Sequence, residues 1–181
     1  MDFSQSIKKS NTDEWYTTRD SVEMIIPYLR DNGYHNSGYH KILCPFDKEN
    51  SNFVKVLREH GFEVTYSHID TGTDFFEIDN LTDFDAVVSN PPFSKRQQIL
   101  ETLFRYDVPF AMIMNFNGLF DSKSRWQLFK DNKVELLVPC GRMHFFNDDC
   151  KSNSPNFQSV YVCNKMLPDQ ITFGRAVDKK R

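Results

Sequence analysis

At 181 residues, with 39% apolar and 14% aromatic side chains, the chain suits a single domain with a sizeable core and is no disordered polymer. It holds no run of roughly eighteen apolar residues, and Met1-Asp2-Phe3-Ser4-Gln5 lacks the apolar stretch of an export signal, so a soluble, cytoplasmic protein with no membrane partner is expected. A formal net charge of −3 excludes an overall basic surface, so any phosphate-binding face must be local.

Residues 1–13 are polar and are expected to form a flexible N-terminal arm. A single domain is expected over 14–173 and a solvated tail over 174–181. After Glu14-Trp15-Tyr16-Thr17-Thr18, the spacing of Val22, Ile25, Ile26 and Leu29 predicts an amphipathic helix over 21–31, kinked or restarted at Pro27. Residues 41–44 read as a strand, followed by the loop Pro45-Phe46-Asp47-Lys48-Glu49-Asn50-Ser51 and a helix over 52–60. In an α/β sheet this strand-loop-helix position is where nucleotide-like cofactors bind. Strand formers alternate over 62–69, and Asp70 just past them is placed either to meet ribose hydroxyls or to serve as a turn residue in Asp70-Thr71-Gly72. Asp74-Phe75-Phe76 reads as a cap followed by two rings.

The run over 84–88 is a buried strand that stops abruptly at Ser89-Asn90-Pro91-Pro92-Phe93, because two prolines cannot donate to a sheet ladder. A helix over 95–106 follows, with Ser94 as candidate cap and Ile99, Leu100, Leu103 and Phe104 on one side. The motif therefore sits at a strand's carboxyl end, where open α/β sheets bind ligands. Asn90 offers a side-chain carbonyl, the prolines keep their own carbonyls without N–H groups, and Phe93 adds a flat ring. Such acceptors beside an aromatic plate suit a planar exocyclic amine on a stacked base. The same residues also describe a Pro-Pro turn with a core phenylalanine.

Further strands are expected over 108–114, 134–138 and 157–163, with a helix over 122–131. Cys44, Cys140, Cys150 and Cys163 include no Cys-x-x-Cys pair and read as reduced thiols. Adding His144 to the last three gives no common zinc spacing, and no metal site is expected. Alternating strands and helices give an α/β sandwich with a mainly parallel sheet.

Asn90-Pro91-Pro92-Phe93 resembles the catalytic motif of the S-adenosylmethionine-dependent amino-group methyltransferases, best known for methylating adenine N6, where it follows the fourth strand. The resemblance spans about residues 15–163 and implies a class I methyltransferase-like, Rossmann-like sheet of seven strands, the last antiparallel to its neighbours, closed by a hairpin within 141–156. It implies that Asn90 and the Pro91 carbonyl hold the amine, with Pro92 in the turn and Phe93 stacked on an everted base. It further implies S-adenosylmethionine contacts from Trp15, Thr17, Pro45, Phe46, Asp74 and Phe75, beside which Asp70, by its place after the second strand, is the candidate for the ribose. Against the family pattern Asp-Pro-Phe-x-Gly-x-Gly, Cys44 stands in place of the acid and Lys48 and Asn50 in place of glycines, which leaves Asp47 or Ser51 to meet the methionine end. The expected activity is adenine-N6 methyl transfer to nucleic acid, DNA rather than RNA, as in phage and restriction-modification enzymes. No separate target-recognition domain is legible, so specificity would come from loops, a homo-oligomer or a protein partner. The competing expectation is a methyltransferase fold that has lost efficient cofactor binding and serves as a protein-binding or inhibitory module.

Overall fold

Apolar side chains alternating between two faces of short, central strands decide the architecture. The computed structural model describes residues 16–30, 39–146, 152–153 and 157–174. In chain order the elements are Tyr16–Thr17 (β1), Arg19–Glu23 (α1), Ile26–Arg30 (α2), Lys41–Cys44 (β2), Asn52–Glu59 (α3), Glu63–Tyr66 (β3), Ala86–Ser89 (β4) and Arg96–Tyr106 (α4). Then come Phe110–Asn115 (β5), Lys123–Asp131 (α5), Glu135–Val138 (β6), Phe145–Phe146 (β7), Ser152–Asn153 (β8), Ser159–Asn164 (β9) and Ile171–Phe173 (β10).

Seven strands form one sheet in the order β10-β6-β9-β5-β4-β2-β3, parallel throughout except for β9, which runs antiparallel to both β5 and β6. Ile42, Cys44, Ala86, Val88, Ala111, Ile113, Tyr161 and Cys163 face one layer, filled by Val22, Ile25, Leu29 and the apolar side of α3. Leu43, Val87, Phe110, Met112, Met114, Val160 and Val162 face the other, filled by Ile99, Leu100 and Leu103 of α4 and Phe129 of α5. Period-two alternation along each strand thus produces a three-layer sandwich. From β2 the chain crosses by α3 to β3 on one side, and β4 pairs on the other. The crevice over the carboxyl ends of β2 and β4 is therefore the topological switch point of the sheet, the place such sheets reserve for ligands.

Several expectations need correction. The helix expected from residue 21 begins earlier, at Arg19, whereas its expected restart at Pro27 is present as the break between α1 and α2, with Pro27 in the first turn of α2, where a missing N–H leaves no bond unmade. The strand expected over 62–69 ends at Tyr66, because His68 Nδ1 accepts from the Asp70 N–H and Thr71 Oγ1 donates to the His68 carbonyl, local bonds that wind Ile69–Thr71 into a 3-10 turn. Ser94 is not the cap of α4. Lys95 takes that position, since its N–H donates to the Pro92 carbonyl and closes the 3-10 turn Phe93–Lys95 first.

The closing hairpin is not part of the large sheet either. β7 pairs antiparallel with β1 and β8 in a separate three-stranded sheet. The reversed strand is β9, and one further parallel strand, β10, follows it against β6. Hence the motif follows the fourth strand in chain order but the third of the large sheet. No described helix is long and apolar enough to cross a membrane.

Candidate active site

Beyond Cys44 the chain folds back over the sheet edge: the Asp47 N–H donates to the Ser67 carbonyl at 3.0 Å and the Ser67 N–H to the Cys44 carbonyl at 3.1 Å. Ser67 Oγ donates to the Pro45 carbonyl at 3.4 Å, which fixes the buried proline against the end of β3. These bonds aim the Asp47 side chain, 8% exposed, into the switch-point crevice. There its Oδ2 accepts from Ser89 Oγ at 2.5 Å, with the Ser51 hydroxyl near enough to favour the charged carboxylate. Burial pushes this carboxyl from 3.8 up to about 6, while the Ser89 and then the Ser51 hydroxyl act to lower it. The Cys44 thiol is pushed well up by burial and then by the Asp47 charge, so it stays neutral. Asp47, not position 44, brings the carboxylate to this crevice.

Ser51 also caps α3 by accepting from the Val54 N–H at 3.2 Å. The next residue, Asn52, donates through Nδ2 to the Thr17 carbonyl at 2.8 Å and ties the short strand β1 to the same loop. Thr17 is 5% exposed, and its Oγ1 is buried with no hydrogen-bond partner among the described residues. Orphaned buried hydroxyls are costly and uncommon, which makes this one a marker for a polar ligand atom. Tyr16 stacks on Phe146 at 5.4 Å, while Trp15 lies outside the described residues.

On the other wall of the crevice, β4 delivers Ser89 and then Asn90, which is half-buried with Oδ1 enclosed. Pro91 is buried, and the Pro92 carbonyl is taken by the Lys95 N–H at 3.1 Å. Phe93 is half-buried, so it is not a sealed core ring. It meets Phe157 edge-on at 5.9 Å, and Phe157 in turn lies 6.5 Å from Phe145.

Further out, Lys48 Nζ lies 2.7 Å from Asp70 Oδ2, and His68 Nδ1 lies 3.5 Å from the same oxygen. Asp74 Oδ1 accepts from the Phe76 N–H at 3.1 Å, capping a 3-10 turn, and Phe75 is buried. Asp74 and Phe75 thus take the cap-and-ring form, with half-buried Phe46 packed on Phe75 at 5.1 Å and linking that pair to the loop after β2.

The structure brings together Thr17, Asp47, Ser51, Asn90, Pro91, Pro92 and Phe93, with Asp70, Asp74 and Phe75 along the outer side. Ser89, which holds the Asp47 carboxylate, and Phe157, which backs Phe93, were missed as site residues. A hydroxyl at the end of an otherwise apolar buried run was the available signal for Ser89. Nothing local signals Phe157, which meets the motif across 64 residues of chain.

Fold and site together define an α/β protein whose polar side chains gather over the switch point of its sheet. A family model described as adenine-specific methyltransferase EcoRI matches residues 58–162, more than half of the sequence, and the chain belongs to that family. The matched span includes Asn90 to Phe93 and Asp70, and it begins after the loop that carries Asp47. The type II methyltransferase M.EcoRI of Escherichia coli is 27% identical over 179 residues, 75% of this chain and 55% of that protein. The chain thus spans about half the length of the curated relative it matches. Among solved structures, precorrin-6y C5,15-methyltransferase from Geobacter metallireducens GS-15 gives a TM-score of 0.42 at 11% identity, covering 88% of this chain and 90% of that one.

Proposed function

We propose that the protein transfers a methyl group from S-adenosylmethionine to the exocyclic N6 amine of adenine in nucleic acid, DNA rather than RNA. The observation that carries this reading is that the Asn90-Pro91-Pro92-Phe93 turn leaves β4 directly after Ser89, whose hydroxyl holds the Asp47 carboxylate at the switch point of the sheet. Membership of an adenine-specific family supports it over the reading of a protein-binding module.

The residues present fit the cofactor. The orphaned Thr17 hydroxyl and the buried Asp47 carboxylate are an acceptor-rich pair suited to a polar, cationic amino-acid end. Ser51 and the Pro45-Phe46 turn would border that end, Asp70 would take the ribose side, Asp74 and Phe75 the adenine side, and Trp15 would add a cofactor contact from the N-terminal segment. The cofactor, when bound, supplies a methyl group already activated on a sulfonium. Asp70 is paired with Lys48, but Asp70 is 54% exposed, and an exposed pair contributes only about 0–1 kcal/mol, so exchange for a hydroxyl is cheap.

Catalysis by this chain is then positioning. Asn90 Oδ1 and the Pro91 carbonyl accept the N6 protons, orient the nitrogen lone pair and stabilise the positive charge that develops there. Phe93 stacks on the everted base and excludes water from its face. No strong base is needed, because the nitrogen sheds its proton after it has become cationic. Calorimetric titration with S-adenosylmethionine and S-adenosylhomocysteine, paired with methyl transfer to adenine-containing DNA, tests the proposal. Micromolar binding, about −8 kcal/mol, is expected. Silence at millimolar ligand would end this reading.

A further inference from the structure

The segment between β5 and α5 holds two partly exposed aromatic rings, of which Phe120 packs edge-on against the core ring Phe129 at 5.7 Å. Phe116 is 41% and Phe120 44% exposed, and they meet edge-to-face at 6.0 Å. Their backbone is fixed from several sides. The Phe116 N–H donates to the Gln158 carbonyl at 2.7 Å and the Leu119 N–H to the Phe116 carbonyl at 3.1 Å. Arg125, 8% exposed, donates through Nε to the Leu119 carbonyl at 2.9 Å and through Nη2 to the Gly118 carbonyl at 2.8 Å. Arg96 Nη2 reaches the same Gly118 carbonyl at 3.5 Å. Gly118 has φ +71°, which closes the turn in a conformation side-chain-bearing residues resist. The turn and the Phe129 contact hold the backbone and one side of Phe120 in place, and the remaining surface of both rings faces solvent.

Their position links them to the motif. β5 lies beside β4 and ends on the same edge of the sheet. Gln158, which anchors Phe116, follows Phe157, the ring packed on Phe93. Lys95 and Arg96, which follow the motif after Ser94, add positive charge to a chain whose net charge is −3. Lys95 Nζ lies 5.5 Å over the Phe76 ring, and among the described residues Arg96 keeps only the long 3.5 Å bond to the turn. Bases stack on aromatic rings whatever their identity, and backbone phosphates seek such cations.

We infer that Phe116 and Phe120 form a stacking surface for the nucleotide next to the target adenine, with Lys95 and Arg96 meeting its phosphate. The inference rests on the function proposed above and extends it to two positioning residues outside the motif.

The test compares wild type with Phe116→Ala/Phe120→Ala, Phe116→Leu/Phe120→Leu and Phe116→Tyr/Phe120→Tyr. Each is titrated into a fluorescein-labelled, mixed-sequence single-stranded DNA oligonucleotide, with the melting shift given by S-adenosylhomocysteine recorded in parallel. The alanine and leucine pairs should each weaken oligonucleotide binding about tenfold or more, the tyrosine pair should retain wild-type affinity, and the melting shift should be the same in all four. Equal oligonucleotide affinity for wild type and the alanine pair overturns the inference, as does rescue by leucine, which would mark a merely apolar contact. So does a wild-type dimer that the alanine pair abolishes, or a wild type that binds no oligonucleotide. A wild type that binds oligonucleotide through these rings yet neither binds cofactor nor transfers methyl would defeat the proposed function and leave the stacking surface standing.

Discussion

Asp47 carries opposite consequences for stability and for binding. Its folded pKa of about 6 lies above the ordinary 3.8, so between those values the native state holds a proton that the unfolded chain has released. Stability from this group is therefore present at low pH and is lost as pH rises through that window, by on the order of 1–3 kcal/mol. Asp47→Asn should raise the thermal midpoint at neutral pH and leave it unchanged near about pH 4, as read by calorimetry across that range. The same substitution should weaken S-adenosylmethionine by about tenfold or more, because it removes the buried charge that would face the cofactor's ammonium group. Wild-type affinity should correspondingly fall as pH drops below about 6. A variant that is more stable yet binds less marks a residue kept for function. Asn90→Ala differs in kind. It deletes an acceptor at a strand end without touching the apolar layers, so methyl transfer should fall on the order of a hundredfold with little change in melting. Retained transfer would refute its role.

Among the elements, legibility in the sequence followed locality. β2, β4 and β5 were readable because buried parallel strands are short continuous apolar runs, and Asn90 to Phe93 was readable because two prolines end one of them. β10 was not, for it has three residues at an exposed edge and no apolar run at all. Pairing of Phe145–Phe146 with Tyr16–Thr17 was equally hidden, since it joins segments some 130 residues apart. The site divides in the same way: Asp47 and Ser51 sit in a loop whose position announces a ligand, whereas the Lys48–Asp70 pair and the Ser89 bond to Asp47 exist only once β2, β3 and β4 are side by side. That pair makes the loop after β2 testable as a unit. Lys48→Ala should change stability by less than about 1 kcal/mol, as befits an exposed pair, and should tighten S-adenosylhomocysteine a few-fold by releasing Asp70 for the ribose. Weaker binding in the variant, measured calorimetrically, would mean that Lys48 itself contacts the ligand.

For the whole molecule, the net charge of −3 restricts how nucleic acid could be held. Counterion release links affinity to salt: each phosphate neutralised contributes about −0.9 to the slope of log affinity against log salt on a duplex and about −0.7 on a single strand. An enzyme with a basic groove would show a slope near −8. Here Lys95, whose Nζ lies over the Phe76 ring, and Arg96, with one long 3.5 Å bond to the Gly118 carbonyl, follow the motif, while Arg125 places both Nε and Nη2 on backbone carbonyls of the turn. Two phosphate contacts predict a slope of about −1.4 to −1.8, with much of the remaining affinity coming from stacking, which salt leaves nearly untouched. Lys95→Ala should lower the magnitude of that slope by about 0.7–0.9 and weaken binding evenly across sequences, whereas loss of Phe116 and Phe120 should weaken binding and leave the slope alone. Titrations of a labelled oligonucleotide at several salt concentrations separate the two contributions. A steep slope that survives Lys95→Ala would move the nucleic-acid surface to another face of the molecule, away from the turn at Asn90.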